Sequence, residues 1–150
     1  MDKALDILLK SSDLVIVLEE GDEIVESLKK FAKEEEISGF FVGIGAVRNP
    51  IIGYYDLEKR QYIKAELKGS YEVISLLGTI SYLPNGEPFI HAHIALGDSE
   101  HRVLGGHLFR AEVSVTLELI ILRTEKITRQ KDEKFGLWLI GNVEEKVSED

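Results

Sequence analysis

All four histidines of the chain lie in one short stretch, residues 89–109, which reads FIHAHIALGDSEHRVLGGHLF. His91 and His93 alternate with apolar residues, and alternate side chains of a β-strand point to the same face. Their Cα atoms would then lie about 6.5 to 7 Å apart, a separation from which two imidazoles can bind one metal ion. His107 follows a glycine pair that permits close backbone approach, and a turn before it can return the chain to the first two histidines. The spacing predicts a metal site formed by His91, His93 and His107.

The residue types also restrict which metal this site would take. The chain has no cysteine, so a transition metal would be held by imidazole and carboxylate, and zinc is the ion we expect. Three imidazoles leave a coordination position for water, a carboxylate or a residue of a neighbouring subunit. His101 lies in the predicted turn, where we expect it to be exposed. The alternative is that the histidines are ordinary polar residues of a surface hairpin.

The elements that would position these histidines are mostly strands. Residues 22–36 carry apolar side chains at the spacing of one helix face, with Asp22 placed to cap the first turn, and predict an amphipathic helix. The segment 83–88, LPNGEP, predicts the turn of a hairpin whose second strand carries His91 and His93. Strand-like runs occupy residues 13–20, 40–47, 51–55, 61–67, 71–82, 89–96, 113–123 and 137–140. The pattern predicts an α+β fold, in which an antiparallel β-sheet dominates and one principal helix packs on it.

Length and composition indicate one domain. A chain of 150 residues with 44% hydrophobic content is enough for a single core that buries roughly 70% of the unfolded surface. We expect this core over residues 13–141, with the apolar segment 4–9 packed on it and a polar, frayed tail over 142–150. The sequence shows neither a basic leader nor a long apolar run, so we expect a cytoplasmic protein that does not contact membranes. Abundant Lys and Glu beside two Gln residues are typical of a protein from a hot environment.

Net charge opposes nucleic-acid binding. The chain has 27 acidic and 18 basic residues, a formal net charge of -9, which repels phosphate unless the basic residues share one face. The densest basic segment, residues 123–134, is interleaved with acids, and we interpret it as a solvated loop of mixed charge. Direct DNA binding is therefore expected to be weak. Among the acidic residues, Glu72 lies within a predicted apolar strand and is a candidate for a catalytic carboxylate, although it could equally face solvent.

Three segments together resemble a known family: GSYEVISLLGTI at 69–80, PFIHAHIAL at 88–96 and RVLGGHL at 102–108. They are similar to the plant and prokaryote conserved (PPC) domain family, over nearly the whole chain. The resemblance implies a short helix against an antiparallel sheet and three subunits associated through their sheets. It also implies a metal-binding role for His91, His93 and His107. Free-standing prokaryotic members are labelled predicted DNA-binding proteins, and plant members carry an AT-hook, whose R-G-R-P core this chain lacks.

Two classes of function follow. The first is a non-enzymatic homotrimer that acts as a scaffold or as a DNA-binding or regulatory protein. Its metal is structural or regulatory, and its partners are other proteins or DNA. The second is a small metal-dependent enzyme, in which three histidines polarise a water or a substrate oxygen and an acid such as Glu72 assists. A cupin-like enzyme is a minor variant of the second class, since residues 91–105 approximate the first cupin motif with Asp98 in place of glutamate. We expect the first class.

Overall fold

The structure, a computed structural model, describes residues 13–143. This part of the chain forms one helix, α1 (Ile24–Glu35), and eight strands. The strands are β1 (Asp13–Glu19), β2 (Ser38–Asp56), β3 (Gln61–Glu66), β4 (Ser70–Tyr82), β5 (Pro88–Gly97), β6 (Val103–Thr124), β7 (Ile127–Asp132) and β8 (Leu137–Val143). The predicted α+β class is confirmed. The expectations for residues 4–9 and 144–150 lie outside the described residues, whereas residues 142 and 143 belong to β8. No helix within the described range has the length and apolar character needed to cross a membrane.

The strands form one sheet that closes partly on itself. Their order is β3-β2-β6-β5-β4-β7-β8, with β1 added on β6. β2 also pairs with β4, so the pairings from β2 through β6, β5 and β4 return to β2. The described pairings between strands are antiparallel except for one parallel bridge, between Tyr82 and Thr128, which makes the sheet mixed. This arrangement places the middle of β5 between β4 and the beginning of β6.

The two longest strands differ from the sequence prediction. Residues 40–47 and 51–55 were predicted as separate strands, but both belong to β2, which continues through register shifts. Asn49 there has a φ of 50° and Pro50 is buried. Such bulges bend a strand without ending it. β6 likewise begins at Val103, ten residues before the predicted start at 113, and this early part carries His107.

The core lies between α1 and the inner face of the sheet. Ile24, Leu28 and Ala32 of α1 are fully buried, and burying a leucine stabilises the fold by about 1.5–3 kcal/mol. The predicted capping residue of α1 is wrong by one position: the Glu23 carboxylate accepts from the Glu26 backbone N–H at 2.7 Å, while Asp22 accepts from Glu19. The predicted LPNGEP turn is confirmed, since Gly86 donates to the Leu83 carbonyl and joins β4 to β5.

The predicted loop at 123–134 is wrong, because β7 occupies half of it and the end of β6 another two residues. Ile127 and Arg129 alternate along β7 and both point inward, with 2% and 4% of their surface exposed. The guanidinium of Arg129 is tolerated there because it donates to Ser81 Oγ at 2.7 Å and to Thr79 Oγ1 at 2.8 Å, both on β4. These hydrogen bonds allow Arg129 to be buried, although the sequence analysis predicted a solvent-exposed segment.

Candidate metal centre

The three predicted ligands converge on the outer face of the sheet. Ile90, Ala92, Ile94 and Leu96 of β5 are buried in the core, so His91 and His93 point to the opposite face, as alternation requires. His93 is paired directly with His107 of β6. One potential ligand nitrogen from each of the three histidines lies within 4.8 Å of the other two. The predicted convergence is therefore present in the described part of the chain.

The glycines before His107 permit close backbone approach, as predicted, although they lie within a strand and not in the turn. The chain reverses at residues 98–102, where the Asp98 carbonyl accepts from the His101 backbone N–H, and Gly105 and Gly106 lie in β6 beyond this turn. A Cβ atom on Gly105 would lie 2.2 Å from the Ile94 carbonyl oxygen, and one on Gly106 would lie 2.6 Å from the Gly53 carbonyl oxygen. Both distances are too short for a side chain, so this glycine pair is required for close strand approach beside His107.

Aromatic side chains support His107 from the neighbouring strands. Tyr62 of β3 places its hydroxyl 3.4 Å from His107 Nδ1, and the two rings are 4.7 Å apart. The ring centres of Phe109 and His107 are also 4.7 Å apart. Lys64 Nζ lies 4.2 Å from the Phe109 ring centre. The contact at Nδ1 leaves Nε2 of His107 available for a metal. The Nδ1–H group would then donate a hydrogen bond to the Tyr62 hydroxyl oxygen, which would fix the orientation of the ring.

The electrostatics favour neutral imidazoles, the form that binds metals. Burial lowers the pKa of His107 to about 4, and charges on His91, His93 and Lys64 act in the same direction. Burial, with contributions from His93 and Arg129, also lowers the pKa of His91. Both residues are therefore unprotonated at neutral pH. Protons therefore do not compete with a metal ion for these two nitrogens at neutral pH.

The spacing of the nitrogen atoms also fits zinc. His91 Nε2 and His93 Nε2 are 3.3 Å apart. Zinc binds imidazole nitrogen at about 2.0–2.1 Å, so two nitrogens of a tetrahedral site are separated by about 3.3–3.4 Å. Without a metal, the same distance allows one ring to donate a hydrogen bond to the other. The third nitrogen, from His107, lies within 4.8 Å of the other two, so a bound zinc ion would have to draw the three rings closer together.

A cavity of about 560 Å³ adjoins the histidines, with His91 and His107 in its wall. Aromatic and aliphatic side chains form most of its lining. Lys29 of α1 and Arg129 of β7 also reach it. The Arg129 guanidinium lies 4.9 Å from the Phe89 ring centre. The histidine cluster therefore borders a pocket of a size typical of small-molecule sites.

An exposed apolar surface reaches the cluster from the other side. Directly paired residues of antiparallel strands share a face, and one such row runs from Val15 to Ile120, Val42, Leu77, His93 and His107. We call the exposed hydrophobic residues around this row the apolar face: Val15, Val17, Phe40, Val42, Ile44, Leu77 and Leu122, each at least 43% exposed. The face and the candidate metal centre are thus continuous.

The remaining predicted residues lie away from the centre. His101 is exposed in the turn, with a φ of 66°. Glu72 is exposed on β4 opposite Gly97, four residues along β5 from His93, which corresponds to about 13 Å. The structure does not bring Glu72 to the histidines. Two residues that the sequence analysis did not single out, Tyr62 and Arg129, are closer, and they reach the site through strand pairings that no local pattern reveals.

Fold and site define a class of small α+β domain, whose mixed sheet carries a three-histidine candidate centre on its outer face. The profile of the Plants and Prokaryotes Conserved (PCC) domain matches residues 10–125. The chain belongs to this family, which confirms the resemblance inferred from the sequence.

Solved structures of related proteins share the fold. A plant- and prokaryote-conserved (PPC) protein of Pyrococcus horikoshii is 44% identical, with a TM-score of 0.78 over 88% of this chain and 92% of that one. A metal-containing protein of Archaeoglobus fulgidus is 36% identical, with a TM-score of 0.80 over 88% and 94% of the two chains. A proposed DNA-binding protein of Bacteroides thetaiotaomicron is 27% identical, with a TM-score of 0.83 over 87% and 92%. The bifunctional protein GlmU of a Synechococcus strain is 26% identical over 121 residues, and the chain spans 18% of that protein's length.

Proposed function

We propose that the protein is a homotrimeric, cytoplasmic PPC domain that binds zinc through His91, His93 and His107 and acts as an oligomeric scaffold. The observation that carries this proposal is the convergence of three imidazole nitrogens within 4.8 Å at the margin of the apolar face. The naming of a 36% identical relative as a metal-containing protein supports the metal. A role in regulation would run through protein partners bound to the assembled trimer.

The position of the cluster supports a metal that stabilises subunit contacts. His93 is exposed and follows Leu77 in the row that crosses the apolar face. A subunit that covers this face would also approach His93, and one of its polar side chains could complete a tetrahedral zinc site. The metal would then be closed off from solvent, as in structural zinc sites.

Zinc titration tests the metal site. We expect the protein to bind zinc in a chelator competition assay and the variant His93→Ala to lose most of this affinity, because two imidazoles hold zinc far less tightly than three. His101→Ala is the matched control, since His101 is exposed in the turn and outside the cluster. Equal zinc affinity of the wild-type protein and His93→Ala, or negligible binding by both, would eliminate the proposed site.

The adjoining cavity favours a second candidate function, a small metal-dependent enzyme. In this case the three histidines would leave one zinc position open to a water or substrate oxygen facing the cavity wall formed by His91 and His107. Glu72, the acid predicted to assist, pairs with Gly97 about 13 Å along β5 from His93 and is too far away to do so. X-ray absorption of the zinc-loaded protein distinguishes the candidates: a coordinated water favours the enzyme, and a fourth protein ligand favours the scaffold.

A further inference from the structure

Arg129 is a buried cation without a carboxylate partner. Its side chain is 4% exposed, and its hydrogen-bond acceptors are the neutral oxygens of Ser81, Thr79 and the Trp138 backbone. Within the described part of the chain no acidic residue forms an ion pair with it. Burial lowers the pKa of Arg129, and no nearby anion opposes this shift. Buried charges in proteins are usually paired, whereas residues 13–143 supply no anionic partner for this guanidinium.

Arg129 meets open space on one side, where an anion could reach it. Arg129 lines the cavity of about 560 Å³ next to the histidines. Three N–H groups of the guanidinium are used by the neutral oxygens, and a guanidinium has further N–H donors beyond these. The guanidinium is planar, so its remaining donors lie in its plane, and the ring centre of Phe89 lies 4.9 Å from it. Such donors match the two oxygens of a carboxylate.

The rest of the cavity wall would contact the part of the ligand that does not reach Arg129. Tyr62, Phe109, Trp138 and several leucines provide an apolar and aromatic lining. Lys29 of α1 adds a second positive charge, which it shares with Glu26 at 3.4 Å. Glu87 is the carboxylate on the wall among the described residues, and it lies 3.7 Å from Lys33 Nζ. In a chain of net charge -9, a cavity wall that carries a buried arginine with no acidic partner among the described residues is the exception. Its charge is complementary to an anion.

The geometry points to a binding site for an organic carboxylate, whose carboxyl group pairs with Arg129 and whose hydrocarbon or aromatic body fills the cavity against Phe89, Phe109 and Trp138. The site does not require a metal, because Arg129 and the apolar wall supply both recognition elements. A zinc ion on His91 and His107 would border the same cavity and add to its positive charge.

Fluorescence of Trp138, the one tryptophan of the chain, reports directly on this cavity. We expect 3-phenylpropionate to change the emission in a saturable manner and 3-phenylpropanamide, its neutral analogue of similar shape, to bind at least about tenfold more weakly, since the charged pair is lost. The titration is made on the zinc-loaded protein and on chelator-treated protein. Arg129-dependent binding in both forms supports the carboxylate site even if the zinc proposal fails.

Two pairs of variants test the residues. Arg129→Met should weaken 3-phenylpropionate about tenfold or more, whereas Arg123→Met, at an exposed arginine of β6, should leave it unchanged. Lys29→Glu should weaken it several-fold, and Lys30→Glu, at an exposed neighbour that does not line the cavity, should not. The Lys29 pair keeps the test decisive if Arg129→Met does not fold. Equal affinity for acid and amide, equal effects within each pair, or displacement by the same concentration of inorganic phosphate would overturn the proposal.

Discussion

A metal-bound histidine needs a partner at its second ring nitrogen to hold its tautomer, and Tyr62 occupies that place at His107. The hydroxyl lies 3.4 Å from Nδ1, and burial raises the pKa of Tyr62, so the phenol remains neutral and can accept a hydrogen bond from the Nδ1–H group. We expect Tyr62→Phe to weaken zinc binding about tenfold, the lower end of the effects of such outer contacts. Chelator competition measures this change.

The control for Tyr62→Phe is Tyr54→Phe, which removes a hydroxyl from a tyrosine of β2 that is 70% exposed. This variant should bind zinc as the wild-type protein does. If Tyr62→Phe also retains full affinity, the orientation of His107 is determined by ring packing against Phe109 alone.

At this scale the sequence predicted the ligands but not their supports. The H-x-H pattern predicted His91 and His93 because strand alternation is a local rule. Tyr62 meets His107 through the long-range pairing of β2 with both β3 and β6, in which Tyr55 is opposite Tyr62 and Gly53 opposite His107. No spacing within a single segment encodes such a contact.

At the scale of elements, β7 shows how a polar segment is incorporated into the fold. The run Ile127, Thr128, Arg129 alternates as a strand should, but its charges outweighed that pattern in the prediction of a loop. Arg129 connects β7 to β4 through Ser81 and Thr79, hydroxyls whose partner lies about fifty residues further on. The burial of Arg129 is therefore not predictable from the sequence near residue 129, because its acceptors lie on a distant strand.

Ser81 tests this connection. Its buried hydroxyl accepts from Arg129 Nε at 2.7 Å and donates to the Phe89 carbonyl at 3.2 Å. We expect Ser81→Ala to lower the free energy of unfolding by about 1–3 kcal/mol, since Nε loses its acceptor in a buried site. Urea denaturation at a fixed protein concentration measures this difference.

Ser70→Ala provides the comparison, because Ser70 begins the same strand and is exposed. Its substitution should change the free energy of unfolding by less than about 0.5 kcal/mol. Equal effects of the two substitutions would mean that the Arg129 contact does not contribute measurably to the attachment of β7.

The fold class was predictable from the sequence because it depends on element types, and these follow from local periodicity. The continuity of β2 and β6 was not. Residues 48–50, RNP, carry the composition of a break, yet the strand passes through them by shifts of register between Arg48 and Ile51. Pairing with β3 and β6 compensates for the local irregularity, and only the assembled sheet supplies those partners.

At the scale of the whole molecule, the exposed apolar face favours association with other subunits. Seven hydrophobic side chains that are each at least 43% exposed form a contiguous surface of the kind that mediates association. We expect a homotrimer, with a mass by light scattering of about three times the 16.9 kDa of one chain. Val42→Glu should reduce this mass, because it places a charge at the centre of the face.

Leu57→Glu is the matched control for this prediction. Leu57 is 65% exposed but lies in the turn between β2 and β3, outside the apolar face. It should leave the mass unchanged. A monomeric mass of the wild-type protein at micromolar concentration would contradict the trimer.

DNA binding is also decided at the scale of the whole molecule. Relatives are named as proposed DNA-binding proteins, yet this chain has a net charge of -9, which assembly would multiply, and its most conspicuous outward surface is apolar. Arg129, in the most basic segment, is buried and cannot reach phosphate. We expect binding to duplex DNA to be weak at about 150 mM salt, measured by fluorescence anisotropy over a salt series. Submicromolar affinity that falls steeply as salt rises would show direct phosphate contacts and contradict this expectation, because release of counterions from DNA gives that dependence.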